Sequence, residues 1–204
     1  MSLQHAIITA LLEKPSSGLE LTRRFDRSIG YFWPATHQQI YRELARLERA
    51  GWIRTLPGEP GRGGRKEYEV LPEGRAALAE WVGTEADPKP IRDALVLRLR
   101  AAAVVGLNGV DEQLRRHRLL HRQRLSEYLD IEQSDFPDGG EEGAASGDRL
   151  RHLVLRAGIK LESFWLEWID ETLAELDRER SRSTTSPVRD PSGGEPEVSR
   201  GEDP

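Results

Sequence analysis

Cysteine is absent from these 204 residues. That excludes disulfides and thiolate metal sites, and it suits a reducing compartment. Long apolar runs are missing as well: nothing approaches the ~20 residues that would cross a bilayer. The sequence does not open on a basic segment followed by an apolar signal core. The expectation is a cytoplasmic protein with no membrane partner. Catalytic patterns are equally scarce. The stretch GRGGRK (61–66) lies between two expected strands and opens no helix, so it is not a phosphate-binding loop of the usual kind. No Ser/His/acid set or nucleophile elbow is present. These absences argue against an enzyme and call for no cofactor.

The composition that remains is polar and unevenly charged. Hydrophobic residues make up 37% and charged residues 32%, which fits a helix-rich protein with much exposed surface. The net charge of −5 speaks against a general nucleic-acid coat, but residues 1–84 hold 12 Lys and Arg against 10 Asp and Glu. The front of the chain therefore carries +2 and the remainder −7. A basic front on an acidic body suits a DNA reader, because attraction to phosphate is a local matter.

The stretch from Ala35 to Tyr68 organises the rest. Thr36 is placed to cap a helix, its hydroxyl accepting from a free N–H of the first turn. Ile40, Leu44 and Leu47 recur at helical spacing and form one buried stripe. Gly51 stops the helix, since glycine enters the left-handed region at little cost. Trp52 and Ile53 then begin a strand, PGEPGRGGRK (57–66) makes a hairpin tip, and Lys66 to Val70 alternates polar and apolar as a half-exposed return strand. Helix, strand, basic loop and strand is the layout of a recognition helix followed by a wing.

The outer face of that helix carries Gln38, Gln39, Arg42, Arg46 and Arg49. Gln pairs bidentately with adenine and Arg with guanine, so Gln38, Gln39 and Arg42 are the candidates for base edges. Tyr41, Arg62, Arg65 and Lys66 are candidates for phosphates, contacts that fix register without reading sequence. Gly61, Gly63 and Gly64 would let the wing approach the backbone closely. Solvated ion pairing is the alternative for the arginines, with Glu43 and Glu48 nearby, most strongly for Arg49. For Tyr41 the alternative is an anchor against Phe32 or Trp33.

Two helices precede this stretch. The first follows a Ser2 cap, with Leu3, Ile7, Ala10 and Leu11 on one face, and ends at Pro15 to Gly18. The second runs from about Leu19 to Arg27, burying Leu21 and Phe25 and turning Arg23, Arg24 and Arg27 outward. Gly30 to Pro34 is an aromatic turn into the third. Three helices in about 50 residues, the last with a polar reading face, make a helix-turn-helix. After the wing, Pro72 starts a further helix, and 83–90 reads as a linker that ends a domain at residues 1–83.

The second half is expected to be a helical dimerisation and effector domain over residues 91–180. One helix covers 91–107, and another runs from near Asp111 to Glu132 with Val110, Leu114, Leu125, Tyr128 and Leu129 inward. The last spans Asp148 to Glu179. There Leu150, Leu153, Ala157, Leu161, Phe164 and Trp168 step by three and four, and Val154, Trp165, Ile169, Leu173 and Leu176 widen the stripe. Such a face packs in a bundle or against a second chain. Leu161, Phe164, Trp165 and Trp168 are the candidates for the dimer or effector interface, since aromatics also line sites for flat organic ligands. His117 and His121, four apart, could place two nitrogens on one metal, but no third ligand follows from the spacing, and a surface or interface role is the reading adopted. Residues 137–147 form an acidic loop, and 181–204, rich in Ser, Thr, Pro, Gly and acid, form a disordered tail.

These features together resemble the PadR family of bacterial transcription regulators. The likeness sits in FWPATHQQIYRELARLERAGWI, in GRGGRKEYEVLPEGRAALAEWV and in the Trp-rich closing helix, covering about residues 2–180. Carried over by position are Thr36, Gln38, Gln39 and Tyr41, with Arg62, Arg65 and Lys66 of the wing. The resemblance implies a homodimer that represses transcription from a pseudo-palindromic DNA operator and releases it when a small molecule or stress signal shifts the dimer. It offers no role for the tail. The expected fold is mainly α with a small β-wing: an N-terminal winged helix-turn-helix plus a C-terminal helical domain. A winged-helix module that binds protein instead of DNA is the competing class, and it would have no need of Arg62, Arg65 and Lys66 together.

Overall fold

The computed structural model describes residues 3–27, 33–56, 66–137 and 146–185. The Ser2 cap, Gly30 to Phe32 of the aromatic turn, the hairpin tip with Arg62 and Arg65, residues 138–145 of the acidic loop and the tail from 186 lie outside the described residues. The chain divides into two compact units, Met1–Ile91 and Arg92–Pro204.

The first unit contains α1 (Leu3–Glu13), β1 (Ser16–Ser17), α2 (Gly18–Arg27), α3 (His37–Arg49), β2 (Ile53–Leu56), β3 (Glu67–Val70) and α4 (Pro72–Gly83). Ile7, Ile8 and Leu11 of α1 meet Leu21 and Phe25 of α2, Ile40, Leu44 and Leu47 of α3, and Ile53 of β2 in one core. Each such side chain, fully withdrawn from water, contributes roughly 1.5–3 kcal/mol. The third helix ends as expected, with Gly51 at φ 71° and the Trp52 N–H reaching back to the Leu47 carbonyl at 3.0 Å. Gly74 is buried in α4 because a Cβ there would lie 2.4 Å from the Trp52 carbonyl oxygen.

Two expectations are corrected here. Ser16 and Ser17 do more than end a helix: they add a strand to the wing, giving an antiparallel sheet in the order β1-β3-β2, with Ser16 opposite Tyr68 and Ile53 opposite Val70. Arg24 does not face outward toward DNA. Its guanidinium donates to the Ala10 and Lys14 carbonyls at 2.9 Å, to Ser16 Oγ at 3.0 Å and to Glu13 at 3.2 Å. It ties the end of α1 to α2 as a second donor to carbonyls that already accept from the Lys14 N–H and from Ser16 Oγ.

The second unit contains α5 (Ala94–Val105), α6 (Val110–Asp135) and α7 (Ser146–Thr185). The first of these starts three residues later than expected because Asp93 caps it, accepting from the Leu95 and Val96 N–H groups at 2.8 and 3.0 Å. The last runs on to Thr185, so 181–185, read as tail, are helical. Leu95, Leu114, Ile169 and Leu176 form the small core. Polar pairs lie along the antiparallel α6–α7 pair: Asp111 with Arg180 at 2.8 Å, Arg118 with Asp170 at 2.5 Å, His121 with Glu162 at 2.5 Å and His152 with Glu132 at 2.6 Å. Tyr128 is buried as expected and lies over Gly158, whose Cβ would come 2.9 Å from the ring. Leu129, expected inside, is exposed.

Candidate DNA-recognition surface

The third helix is fixed at its entrance by a reciprocal cap. Gln39 N–H donates to Thr36 Oγ1 at 3.2 Å, and Thr36 N–H donates to Gln39 Oε1 at 2.8 Å. Thr-x-x-Gln is a capping-box pattern, and the sequence carried that signal. The box occupies both Thr36 and the acceptor oxygen of Gln39. A bidentate Gln–adenine pair needs that oxygen, so Gln39 can read adenine only by opening the box. Gln38 and Arg42, both exposed, have no hydrogen bond or ion pair among the described residues. Arg46 is held by Glu43 at 2.7 Å and by Gln4 of α1, and Arg49 donates to the Ala45 carbonyl at 3.2 Å. On the outer face of α3 the side chains of Gln38 and Arg42 thus stand unengaged, while Gln39, Arg46 and Arg49 are held.

Tyr41 is 47% exposed and lies on Gly18, the first residue of α2. It does not occupy the core. Tyr68 of β3 stands near it, and burial, with Glu48 and Tyr41 as neighbours, pushes the Tyr68 phenol up from its ordinary pKa. At the wing root Lys66 is exposed, while Arg54 of β2 pairs across the sheet with Glu69. Trp33 at the entrance to α3 is half-buried, and the Lys89 ammonium stands 6.0 Å from its ring centre.

In the second unit, Trp165 stacks on His121 at 5.5 Å and meets Trp168 and Phe164 edge-on at 5.6 and 5.7 Å. The His121 ring, 6.0 Å from His117, is engaged by Glu162, which is only 4% exposed. Burial, and then His121, lowers the His117 pKa. Among the described residues no group of three or more His, Asp or Glu stands together to hold a metal ion, and no helix is long and apolar enough to cross a membrane. Two stripes run along α7. One faces α6 and includes the polar His152 and Glu162 beside Ile169 and Leu176. The other, with Leu150 63%, Leu153 61%, Leu161 55% and Phe164 54% exposed, is the more apolar of the two and has no cover among the described residues.

A helix-turn-helix closed by a β-hairpin wing, followed by a separate helical unit, defines the class as a winged-helix regulator. Residues 7–80 match the transcriptional regulator PadR-like family, and residues 91–177 match the virulence activator alpha C-terminal family. The chain is 39% identical to a probable transcriptional regulator of Mycobacterium tuberculosis over 192 residues, covering 88% of this chain and 100% of that protein. The Vibrio cholerae virulence activator AphA superposes with a TM-score of 0.74 at 31% identity, over 87% of this chain and 99% of that one. Bacillus subtilis PadR in complex with operator DNA superposes with a TM-score of 0.73 at 24% identity, over 85% and 97%, and that protein has also been solved with p-coumaric acid. The chain belongs to the PadR family of transcriptional regulators.

Proposed function

We propose that this regulator binds a specific DNA operator as a homodimer and represses transcription there until a small-molecule effector releases it. The observation that carries the DNA reading is the pair of exposed, unengaged side chains of Gln38 and Arg42 on the outer face of α3. Gln38 and Arg42, unengaged and exposed, are the base readers, joined by Thr36 and Gln39 if the cap opens on contact. Tyr41, Lys66, Arg62 and Arg65 hold phosphates. In a two-fold dimer the recognition helices enter successive major grooves about 34–36 Å apart, which calls for a pseudo-palindromic site.

Dimerisation is supported by the uncovered stripe on α7, in which Leu161 and Phe164 take part with Trp165 and Trp168 at its edge. An effector acts by binding the DNA-incompetent arrangement more tightly than the competent one; equal affinity would shift nothing. The repressor sense follows Bacillus subtilis PadR, described as a negative transcriptional regulator. It applies where the operator overlaps a promoter.

The test is a gel shift of the purified full chain on the DNA upstream of its own gene, at two salt concentrations with excess competitor. The expected result is a competitor-resistant complex. Arg62→Ala with Arg65→Ala should weaken binding to every sequence and flatten the salt slope by about one unit per lost phosphate contact. Arg42→Ala should instead relax preference at particular base pairs. Failure of this fragment, and of selection from random DNA, to yield a competitor-resistant complex would sink the DNA reading in favour of a protein-binding winged helix.

A further inference from the structure

Gly18 opens α2 directly after the two-residue strand β1. Its φ lies outside the left-handed region, so the backbone conformation there would admit any residue. What excludes a side chain is Tyr41. A Cβ on Gly18 would lie 2.5 Å from Tyr41 Cε1, 3.1 Å from Cζ and 3.3 Å from the hydroxyl oxygen. The ring of a recognition-helix residue therefore rests on bare backbone at the start of the neighbouring helix. Nothing else in the described structure calls for a glycine there.

Seated on Gly18, Tyr41 still leaves 47% of its surface exposed. A collision at position 18 would therefore be relieved by swinging the ring outward and not by unfolding α2. Around the same point, Ser17 Oγ accepts from the Glu20 N–H at 3.2 Å, and Ser16 is paired with Tyr68 in the sheet. The start of α2 is thus anchored to the wing strand on one side and overlaid by the recognition helix on the other. Those are the two elements that must meet the DNA together.

We propose that Gly18 is a positioning residue for DNA binding: its missing side chain sets the Tyr41 ring, and so the phenol hydroxyl, in the place from which it donates to a backbone phosphate. The inference rests on the DNA reading above and adds a residue to it that touches no DNA itself. Preorganisation is the physical reason. A half-exposed tyrosine free to choose rotamers would lose that freedom on binding, whereas one already seated on Gly18 does not.

The experiment titrates the full chain, Gly18→Ala, Tyr41→Phe and the double variant against the upstream DNA fragment by fluorescence anisotropy at several salt concentrations. Melting curves are recorded in parallel. A hydrogen bond from a phenol to an ionised phosphate is worth roughly ten- to a hundredfold in affinity at each half-site. Gly18→Ala and Tyr41→Phe should each weaken binding by that order, and the double variant should be no weaker than Tyr41→Phe alone. The salt slope should stay at the wild-type value in all of them, because a phenol carries no charge and displaces no counterion, whereas Lys66→Ala should flatten it. Melting of Gly18→Ala should match the wild type or rise slightly, since alanine favours helix.

Wild-type affinity in Gly18→Ala, or effects that multiply in the double variant, would overturn the inference. So would a Gly18→Ala chain that unfolds and is restored by Tyr41→Ala, because the contact would then serve folding. If the wild type itself does not hold the fragment against competitor, the DNA reading falls and this inference with it. Wild-type binding with an indifferent Gly18→Ala removes this inference alone.

Discussion

Replacing Leu161 and Phe164 with Asp tests the assembly most directly. Both side chains stand more than half exposed on the uncovered stripe of α7. Covering the remainder against a second copy recovers about half of a full burial, roughly 1 kcal/mol for each side chain. A two-fold dimer contains four such positions, so their loss alone weakens association by roughly 4 kcal/mol, about a thousandfold in Kd. A carboxylate driven into the interface adds a desolvation cost to that loss. Because neither residue belongs to the core of its own unit, the stability of the isolated chain should change by no more than about 0.5 kcal/mol. Sedimentation equilibrium over a concentration series reads the first quantity, and urea unfolding of the dissociated chain reads the second. Operator affinity should fall in step with dissociation. A variant that stays dimeric with a wild-type constant would refute the reasoning, as would one that loses its own fold.

Three further outcomes follow from the packing. The Asp111 carboxyl, held first by Arg180 and then by Arg115, is lowered to about 2. Its folded value lies below its unfolded one, so it stabilises the fold above the ordinary carboxylate range and that contribution is lost as pH falls from about 4 through about 2. Asp111→Asn should lower the urea midpoint at neutral pH, and the gap to wild type should close across that acid window. Gly74→Ala forces a methyl against the Trp52 carbonyl, which also accepts from Leu71 N–H at 2.8 Å, and should cost roughly 1–3 kcal/mol in urea unfolding. Thr36→Val removes the cap of α3 and should cost about 1 kcal/mol, while Thr36→Ser should keep most of it.

Much of the candidate DNA-recognition surface was legible because its signals are local. The cap at Thr36, the Ile40, Leu44 and Leu47 stripe and the stop at Gly51 are each decided by a few adjacent residues, and the structure places all of them as the spacing implied. The capping partner Gln39 was equally local and was read for its hydrogen-bonding groups instead. Arg24 failed for a different reason. On a helix net it points to solvent, and only the fold brings the Ala10 and Lys14 carbonyls at the end of α1 within its reach. The Ser16–Ser17 strand has no periodicity to betray it, being two residues long; its partner strand lies 50 residues away.

The last helix marks the limit most clearly. Periodicity alone determines that α7 is a long helix with more apolar surface than one neighbour can cover. It cannot determine which stripe turns to α6, because both repeat every three to four residues. The tertiary structure decides in favour of the face carrying His152, Gly158 and Glu162, whose partners Glu132, Tyr128 and His121 stand at matching heights on α6. Buried polar groups need particular partners at particular positions, whereas leucines accept almost any apolar cover. The sequence by itself therefore determined the main helices, the cap at Thr36 and the presence of a wing. The pairing of α6 with α7, and with it the freedom of Leu150, Leu153, Leu161 and Phe164 to meet something else, was decided only where distant residues meet.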